Sequence, residues 1–426
     1  MDKKRFLFVS EEALIGDLAW QVKKEGHHVK YFIGEKASRD ICDGFVDKCD
    51  DWKKEISWAD VVVFDDVFYG EEADKLRKEG KAVVGGSVYT DRLEEDREFG
   101  QQELKKVDVN VLPHWDFTDF DEAIKFVEKN PGRYVLKPTS KSGEKELLFV
   151  GQEEDGKDVI QLLEHYKKAW SKKIKYFQIQ KYVSGVEVAV GAFFNGIDFI
   201  TPINVNFEHK RMFPGDIGPS TGEMGTSMYW APPNRIFSET LAKLKPALQQ
   251  AGYVGYIDLN CIVNNKGIHP LEFTSRFGYP TISIQMEGIV SPWGEFLHAL
   301  ANHKPYDLKA KKGFQVGIVV ACPPFPFYDL AAFKKYAEDA TILFKKPVFD
   351  GVRLGDVKLV EGDWRLAGYS GYCLVVTGSG STMEEARKQA YQRVKNIMIP
   401  NMFYRTDIGV RWFTDSDKLH TWGYLS

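Results

Sequence analysis

The stretch YIDLNCIVNNKGIHPLEFTSRFGYP, residues 256–280, reads as a hairpin of two strands with chemically active side chains on it. Alternation along a strand sends Asp258 and Asn260 to one face, and Glu272, Thr274 and Arg276 to one face of the partner strand. Both sets can converge on one site. Oxygen ligands on neighbouring strands suit a divalent cation bridging nucleotide phosphates, and an arginine beside them can meet the charge that develops on a transferred phosphoryl group. An exposed sheet face with one cross-strand ion pair would explain any one of these residues, but explains five together less well.

Two segments upstream carry compatible chemistry. In YVLKPTSKSGEKELLFVG, residues 134–151, a strand ends at Lys137-Pro138, a polar loop with Gly143 and Lys145 follows, and a second apolar strand returns. Such a hairpin can fold over phosphates, with Lys137 as a point charge and the loop supplying backbone N–H groups. In YFQIQKYVSGVEVAV, residues 176–190, a strand holding Gln180 and Lys181 runs through a short linker to Glu187 on the next strand. A surface hairpin and a solvated glutamate account for each segment alone; the argument rests on all three together.

Further out, residues 1–95 alternate Val/Ile/Phe runs (RFLFVS, DVVVFDD, KAVVGGS) with amphipathic stretches that end in glycine. That order predicts a small Rossmann-like domain with an open parallel sheet. No GxGxxG follows its first strand, which removes the main support for a nicotinamide enzyme. Residues 96–300 read as α+β, with a helix through EDREFGQQELKK and a hairpin turning at Asn195-Gly196. Residues 301–426 read as a third, α+β domain in which Ser381 and Thr382 cap a helix with Glu384 or Glu385. The fold class expected is therefore α/β and α+β, multidomain.

The bulk properties agree. A chain of 426 residues suggests about three domains at roughly 150 residues each. With 43% hydrophobic and 14% aromatic residues it should fold throughout. A net charge of -4 implies no general attraction to nucleic acid or anionic membranes. Five cysteines without CxxC spacing read as reduced thiols, and no apolar run approaches a signal segment or a membrane span. A soluble, cytoplasmic protein is expected, monomer or homodimer. His209 is a candidate for substrate contact, whereas His27, His28 and His114 read as surface residues.

Several longer strings now point to one family: LAWQVKKEG from Leu18, EHKRMFPGDIGPSTGEMGT from Glu208, LEFTSRFG from Leu271, VTGSGSTMEEARKQAYQRV from Val376 and FYRTDIG from Phe403. In order and spacing the chain resembles the glycinamide ribonucleotide synthetase (phosphoribosylamine-glycine ligase) family of the ATP-grasp superfamily. The resemblance implies an N-terminal pre-ATP-grasp domain, a central ATP-grasp domain over 96–300 and a C-terminal domain. It implies ATP with Mg2+ (or Mn2+), small-molecule carboxylate and amine substrates, and an amide formed through an acyl phosphate with release of ADP. It further implies nucleotide contacts from Arg97, Lys137, Lys145, Gln180, Lys181 and Glu187, and metal ligation by Glu272, Asp258 and Thr274. Arg276, Lys210 and Arg211 would be catalytic. The loop holding Gly218, Ser220, Thr221, Gly222, Glu223 and Gly225 would line the substrate site, and Arg405 and Asp407 would serve interdomain structure.

The departures from the family pattern cluster. Where relatives have a glycine-rich loop after the first strand, this chain has Ser10, Glu11, Glu12 and Ala13, and a later substrate loop is replaced by FDDVFYG with Asp65 and Asp66. These carboxylates would repel a ribose phosphate. Thr274 stands for an asparagine, Arg97 for a lysine, Glu223 for a glycine, and GYPT replaces GDPE after the arginine. The leading expectation is thus a ligase with changed specificity. The alternatives are an authentic phosphoribosylamine-glycine ligase of purine biosynthesis and a non-catalytic ATP-binding module.

Overall fold

The structure of the chain is a computed structural model that describes residues 2–138, 148–170 and 176–425. At the N-terminus, β1 (Arg5–Ser10), β2 (His28–Ile33), β3 (Val61–Phe64) and β4 (Ala82–Val84) form a parallel sheet in the order β2-β1-β3-β4. VVVF of β3 is buried at every position, as expected for a parallel strand covered on both faces. The helix Gly16–Lys24 covers the sheet with Leu18, Ala19 and Val22. Because the strands run the same way, the loops after β1 and β3 open at one edge, and that edge carries Glu11, Glu12, Asp65 and Asp66.

A second sheet joins β5 (His114–Phe117), β6 (Tyr134–Pro138), β7 (Phe149–Val150) and β8 (Phe177–Lys181) in the antiparallel order β5-β8-β6-β7. Leu136, Phe177 and Ile179 pack on one side with Phe120, Val127, Val159 and Leu163 of two helices. Alternation therefore turns Lys137, Gln178 and Gln180 to the opposite side, and Lys137 and Gln178 are directly paired.

The largest sheet has eight strands. It runs β15-β14-β9-β10-β13-β16 and then through Tyr372–Gly380 to Val352–Leu354, where β9 is Val186–Asn195, β10 Phe199–Glu208, β13 Gly225–Ala231, β14 Val254–Asn264, β15 Gly267–Thr274 and β16 Phe314–Ala321. A short hairpin, β11 (Arg211–Phe213) with β12 (Ile217–Ser220), projects between β10 and β13. The sheet runs across residue 300, where the sequence pattern places a domain boundary. The reason lies in β16: it is buried along nearly all its length, so both its edges need partners, and it takes β13 on one side and Tyr372–Gly380 on the other. One apolar core accordingly joins Phe6 and Phe8 of the N-terminal sheet to Phe193, Phe296, Val316 and Leu374.

Local expectations resolve in detail. The hairpin between β9 and β10 turns over Asn195–Asp198, with the Asn195 Oδ1 accepting from the Ile197 and Asp198 N–H groups at 3.0 and 2.8 Å. Thr382 and Glu385 form the capping box of the helix Met383–Val394. His27 is buried rather than at the surface: it lies against Phe6, and Gly294 admits it, since a Cβ there would sit 2.3 Å from the imidazole Cδ2. No helix among the described residues is long and apolar enough to cross a membrane.

Candidate active site

Strand register builds one polar face on the large sheet. Asn206 and Asn260 both pair with Ala189, Asp258 pairs with Gly191 and Thr274, and Asn260 pairs with Glu272. Stepping by two along each strand puts Glu187, Glu208, Asp258, Asn260, Glu272 and Thr274 on the same side. Glycine at position 191 is required: a Cβ there would lie 2.3 Å from the Tyr256 hydroxyl and 2.5 Å from the Asp258 Cβ.

Lys210 follows β10 and sends its ammonium into this face. Its Nζ donates to Glu272 Oε1 at 2.7 Å and lies 3.1 Å from Glu187 Oε1 and 3.3 Å from Glu208 Oε2. Burial works against its charge, yet the three carboxylates outweigh burial and hold its pKa well above the ordinary value. Lys210 in turn draws Glu272 well below the usual carboxylate range. Asn260 Nδ2 ties the set together, donating to Glu187 Oε1 and Glu208 Oε2 at 3.0 Å each. Glu208 was missed in the sequence reading, although the alternation Asn204, Asn206, Glu208 in an otherwise apolar strand was a usable signal.

Lys137 faces the same cleft from the smaller sheet. Burial, helped by Arg97 and Lys210, lowers its pKa to about 7, and Glu272 and Glu187 are its nearest opposing charges. Arg97, at the start of the helix Arg97–Lys106, reaches the Leu271 carbonyl at 3.5 Å. Gln180 is buried with its Nε2 lacking a partner among the described residues, whereas Lys181 points outward. Lys145 lies outside the described residues.

The substrate loop is held by its own backbone. Thr221 donates both its N–H and its hydroxyl to the Lys210 carbonyl, at 2.9 and 3.0 Å. Arg211 donates to the Gly218 carbonyl at 2.9 Å, which places it in the β11–β12 hairpin, paired with Ser220. Arg405 secures that hairpin: fully buried, it donates to Asp216, to Asp407 and to the Arg211 carbonyl at 2.7–2.9 Å. Gly222 and Gly225 both have positive φ, 76° and 152°. Glu223 turns inward, accepts from the Thr226 hydroxyl and sits beside Glu208 and Asp258, so burial and those carboxylates push its pKa well up. His209 is buried, and burial lowers its pKa to about 3.

Arg276 bridges this face and the N-terminal loops. Its Nε donates to Glu94 Oε1 at 3.1 Å and lies 3.4 Å from Asp66 Oδ1, with the guanidinium 5.2 Å from the Tyr279 ring centre. Glu94 also accepts from the Ser275 N–H at 2.8 Å. Sequence offered no signal for Glu94, a helix residue brought in only by tertiary packing.

Lys137, Arg97 and Lys210 gather three cations at Glu272, an arrangement suited to a nucleoside triphosphate, and comparison with known proteins gives the family. Residues 95–282 match the family model for the phosphoribosylglycinamide synthetase ATP-grasp (A) domain, and residues 335–411 that for the phosphoribosylglycinamide synthetase C domain. The chain is a glycinamide ribonucleotide synthetase-like ATP-grasp protein. As such it belongs with the ADP-forming ligases that make C–N bonds. It is 24% identical over 351 residues to a phosphoribosylamine–glycine ligase of Clostridium acetobutylicum, covering 79% of this chain and 80% of the relative. A relative of the same name from Streptococcus suis is 23% identical over 365 residues, 84% of each chain. Among solved structures, phosphoribosylamine–glycine ligase of Thermotoga maritima superposes with a TM-score of 0.69 at 21% identity, over 95% of this chain and 100% of that one. Biotin carboxylase of Campylobacter jejuni superposes with a TM-score of 0.64 at 14% identity, over 100% and 98%. In this ATP-grasp protein no three His, Cys, Asp or Glu side chains among the described residues stand ready to share a metal ion.

Proposed function

We propose that the chain is an ATP-dependent carboxylate-amine ligase that forms an amide through an acyl phosphate and accepts an amine other than phosphoribosylamine. One juxtaposition carries this reading: the Lys210 cluster with Glu187, Glu208 and Glu272 is complete, while the N-terminal loops beside it are acidic. Lys137, Arg97 and Lys210 would meet phosphoryl charge in a cleft with little water, where fixed cations act most strongly. Glu187 and the linker after β8 would hold ribose and adenine. A carboxylate oxygen attacks the γ-phosphorus and ADP leaves; the amine then attacks the activated carbonyl and phosphate leaves.

The residues fit a divalent cation. Asp258 Oδ1 and Asn260 Oδ1 are buried without a hydrogen-bond partner among the described residues, on the same face as Glu272 and Glu208, and such oxygens are the donors magnesium or manganese takes. Glu272 and Asp258 would hold it, with Asn260 supplying the neutral oxygen that the sequence reading gave to Thr274. A divalent cation held there would supply positive charge against the phosphates. Cytoplasmic location follows from the same reading.

The test is amine-dependent ADP release across a panel of carboxylates and amines with the purified chain, phosphoribosylamine plus glycine included. Release with the panel but not with phosphoribosylamine is expected; no release with any pair would overturn the proposal. A second reading, authentic phosphoribosylamine-glycine ligase, is favoured by the names of the relatives and the length over which they align. Growth of a purine-auxotrophic strain lacking that enzyme, on expression of this chain, would establish it instead. ATP binding without any turnover would point to a nucleotide-binding module.

A further inference from the structure

Between residues 330 and 401 the chain sets several large apolar side chains at its surface. Leu343 and Met398, 52% and 43% exposed, are direct partners in the antiparallel strands Leu343–Phe344 and Ile397–Met398, so both stand on one face. Val348 and Phe349 are about half exposed in the turn that leaves the first of these strands. Tyr336, also exposed, joins them: its carbonyl accepts from the Asn401 Nδ2 at 3.2 Å, just beyond Met398. Scattered exposed apolar residues are ordinary on a protein surface, but five tied to one small sheet form a patch.

Hydrogen bonds brace the turn. The Lys345 N–H donates to the Asn396 carbonyl and the Lys346 N–H to the Asn396 Oδ1, at 2.9 Å each. The Asn396 Nδ2 returns bonds to the Lys346 and Val348 carbonyls at 3.0 and 3.2 Å, and Pro347 fixes one more dihedral. Val348 and Phe349 are therefore held out before a partner arrives, which lowers the entropy lost on binding. Lysines flank each of these elements. Lys334 and Lys335 precede Tyr336, with the Lys335 Nζ 4.9 Å from its ring centre; Lys345 and Lys346 enter the turn and Lys395 adjoins Asn396, all exposed. They outnumber the exposed Glu338 and Asp350, and Asp339 is already paired with Lys358 at 2.6 Å.

We infer that this face docks another protein, through an acidic amphipathic helix whose apolar side chains cover Leu343, Val348, Phe349 and Met398 and whose carboxylates meet the lysines. An apolar centre inside a charged rim is the anatomy of a protein interface, and an apolar helix face is a recurrent occupant of one. Charge selects the partner. A second copy of the chain, packed about a twofold axis, would set each group of lysines against its own counterpart, and like charges there repel. The rim cations are lysines, point charges suited to carboxylates spread along a helix. The guanidinium fork that grips phosphate is turned inward: Arg393 donates to the Thr377 carbonyl at 2.7 Å. None of the residues placed in the nucleotide cleft belongs to this face, so it can be altered without touching them.

The test is fluorescence anisotropy on the full chain with labelled helical peptides of about five turns. The first carries leucines along one face and glutamates on the other. In the second lysines replace the glutamates, and in the third serines replace the leucines. The Glu/Leu peptide should bind at least about tenfold more tightly than either of the others, and added salt should weaken it. Two double variants, Val348→Ser with Phe349→Ser and Lys346→Glu with Lys395→Glu, should each cost about tenfold in that affinity. ATP affinity should stay unchanged in both, which also shows that they fold. Equal binding of the peptides, or indifference to both double variants, would overturn the inference. So would phosphatidylserine vesicles or a single-stranded RNA bound more tightly than the Glu/Leu peptide and lost in the same variants, since the partner would then bear phosphate. A dimer in sedimentation that the serine variant dissolves would overturn it in favour of a second copy.

Discussion

In the nucleotide cleft three carboxylates surround one ammonium, with Lys210 within 2.7–3.3 Å of Glu272, Glu187 and Glu208. At the strand ends of the N-terminal sheet, Asp66 lies beside Arg276, which Glu94 also engages, and Asp65 is buried next to them. The first region lies on the eight-stranded sheet and the second at the strand ends of the N-terminal sheet, and Arg276 joins them. The first sets three cations, Lys210 with Lys137 and Arg97 nearby, against the three carboxylates Glu187, Glu208 and Glu272. In the second, burial raises the Asp65 carboxyl well above the ordinary range and the Asp356 carboxyl to about 7, so these groups give up their protons less readily than ordinary carboxylates.

The largest effect should come from removing the central cation. Lys210→Met leaves Glu187, Glu208 and Glu272 facing one another without the cation they share. Amine-dependent ADP release should fall by roughly a hundredfold or more, the scale of losing one preorganised electrostatic contact. Near-normal release by this variant would mean that the cluster is a structural clamp and that the contrast between the regions has been misassigned. Arg405→Leu should be next in size but of a different kind. With its guanidinium fully buried among Asp216, Asp407 and the Arg211 carbonyl, its loss should lower unfolding free energy by roughly 3 kcal/mol. Denaturant titration would show this, with ATP affinity far less affected.

How far each region was legible in the sequence follows from the same physics. Strand period is exact, so Asp258, Asn260, Glu272 and Thr274 could be assigned to one face from spacing alone, and the register bears that out. The parallel N-terminal sheet was readable from its apolar runs, RFLFVS, DVVVFDD and KAVVGGS, divided by amphipathic stretches. Glu94 was not readable, because helical position says nothing about which strand end it will meet. Nor was the approach of Asp356 and Tyr369 to Glu12, which depends on the C-terminal part of the chain packing against the N-terminal sheet. Glu223 could be counted as a substitution in its loop, yet its inward direction depends on the Thr226 hydroxyl that receives it.

A moderate effect should appear in pH dependence, with a different readout for each region. Lys137, among Arg97, Lys210, Glu272 and Glu187, is lowered by burial to about 7. Asp356, beside Ser370, Glu12 and Asp40, is raised by burial to about 7. As pH rises through that value the nucleotide cleft loses a positive charge and the buried Asp356 gains a negative one. ATP affinity should therefore weaken across that interval. The folded chain holds the Asp356 proton more tightly than the unfolded chain, so unfolding free energy should fall as pH climbs from the ordinary carboxyl range to about 7. Lys137→Arg should flatten the first profile and Asp356→Asn the second. An ATP profile that Asp356→Asn also flattened would show that one group, shared by both regions, controls them.

The smallest effect tests how Glu11 is held in the second region. The Tyr69 ring stacks on Phe64 at 5.1 Å and its hydroxyl donates to Glu11, so Tyr69→Phe should keep the packing and delete only the hydrogen bond. Such a bond is worth about 1 kcal/mol net. A carboxylate has about four lone-pair sites, so one tyrosine donor orients Glu11 without saturating it. If holding Glu11 is the whole role of Tyr69, the variant should lose that much unfolding free energy in a denaturant titration while ATP affinity and ADP release stay the same. A fall in either would have a different meaning: the two regions would then be coupled, with Glu11 acting on the nucleotide cleft through Asp66 and Arg276.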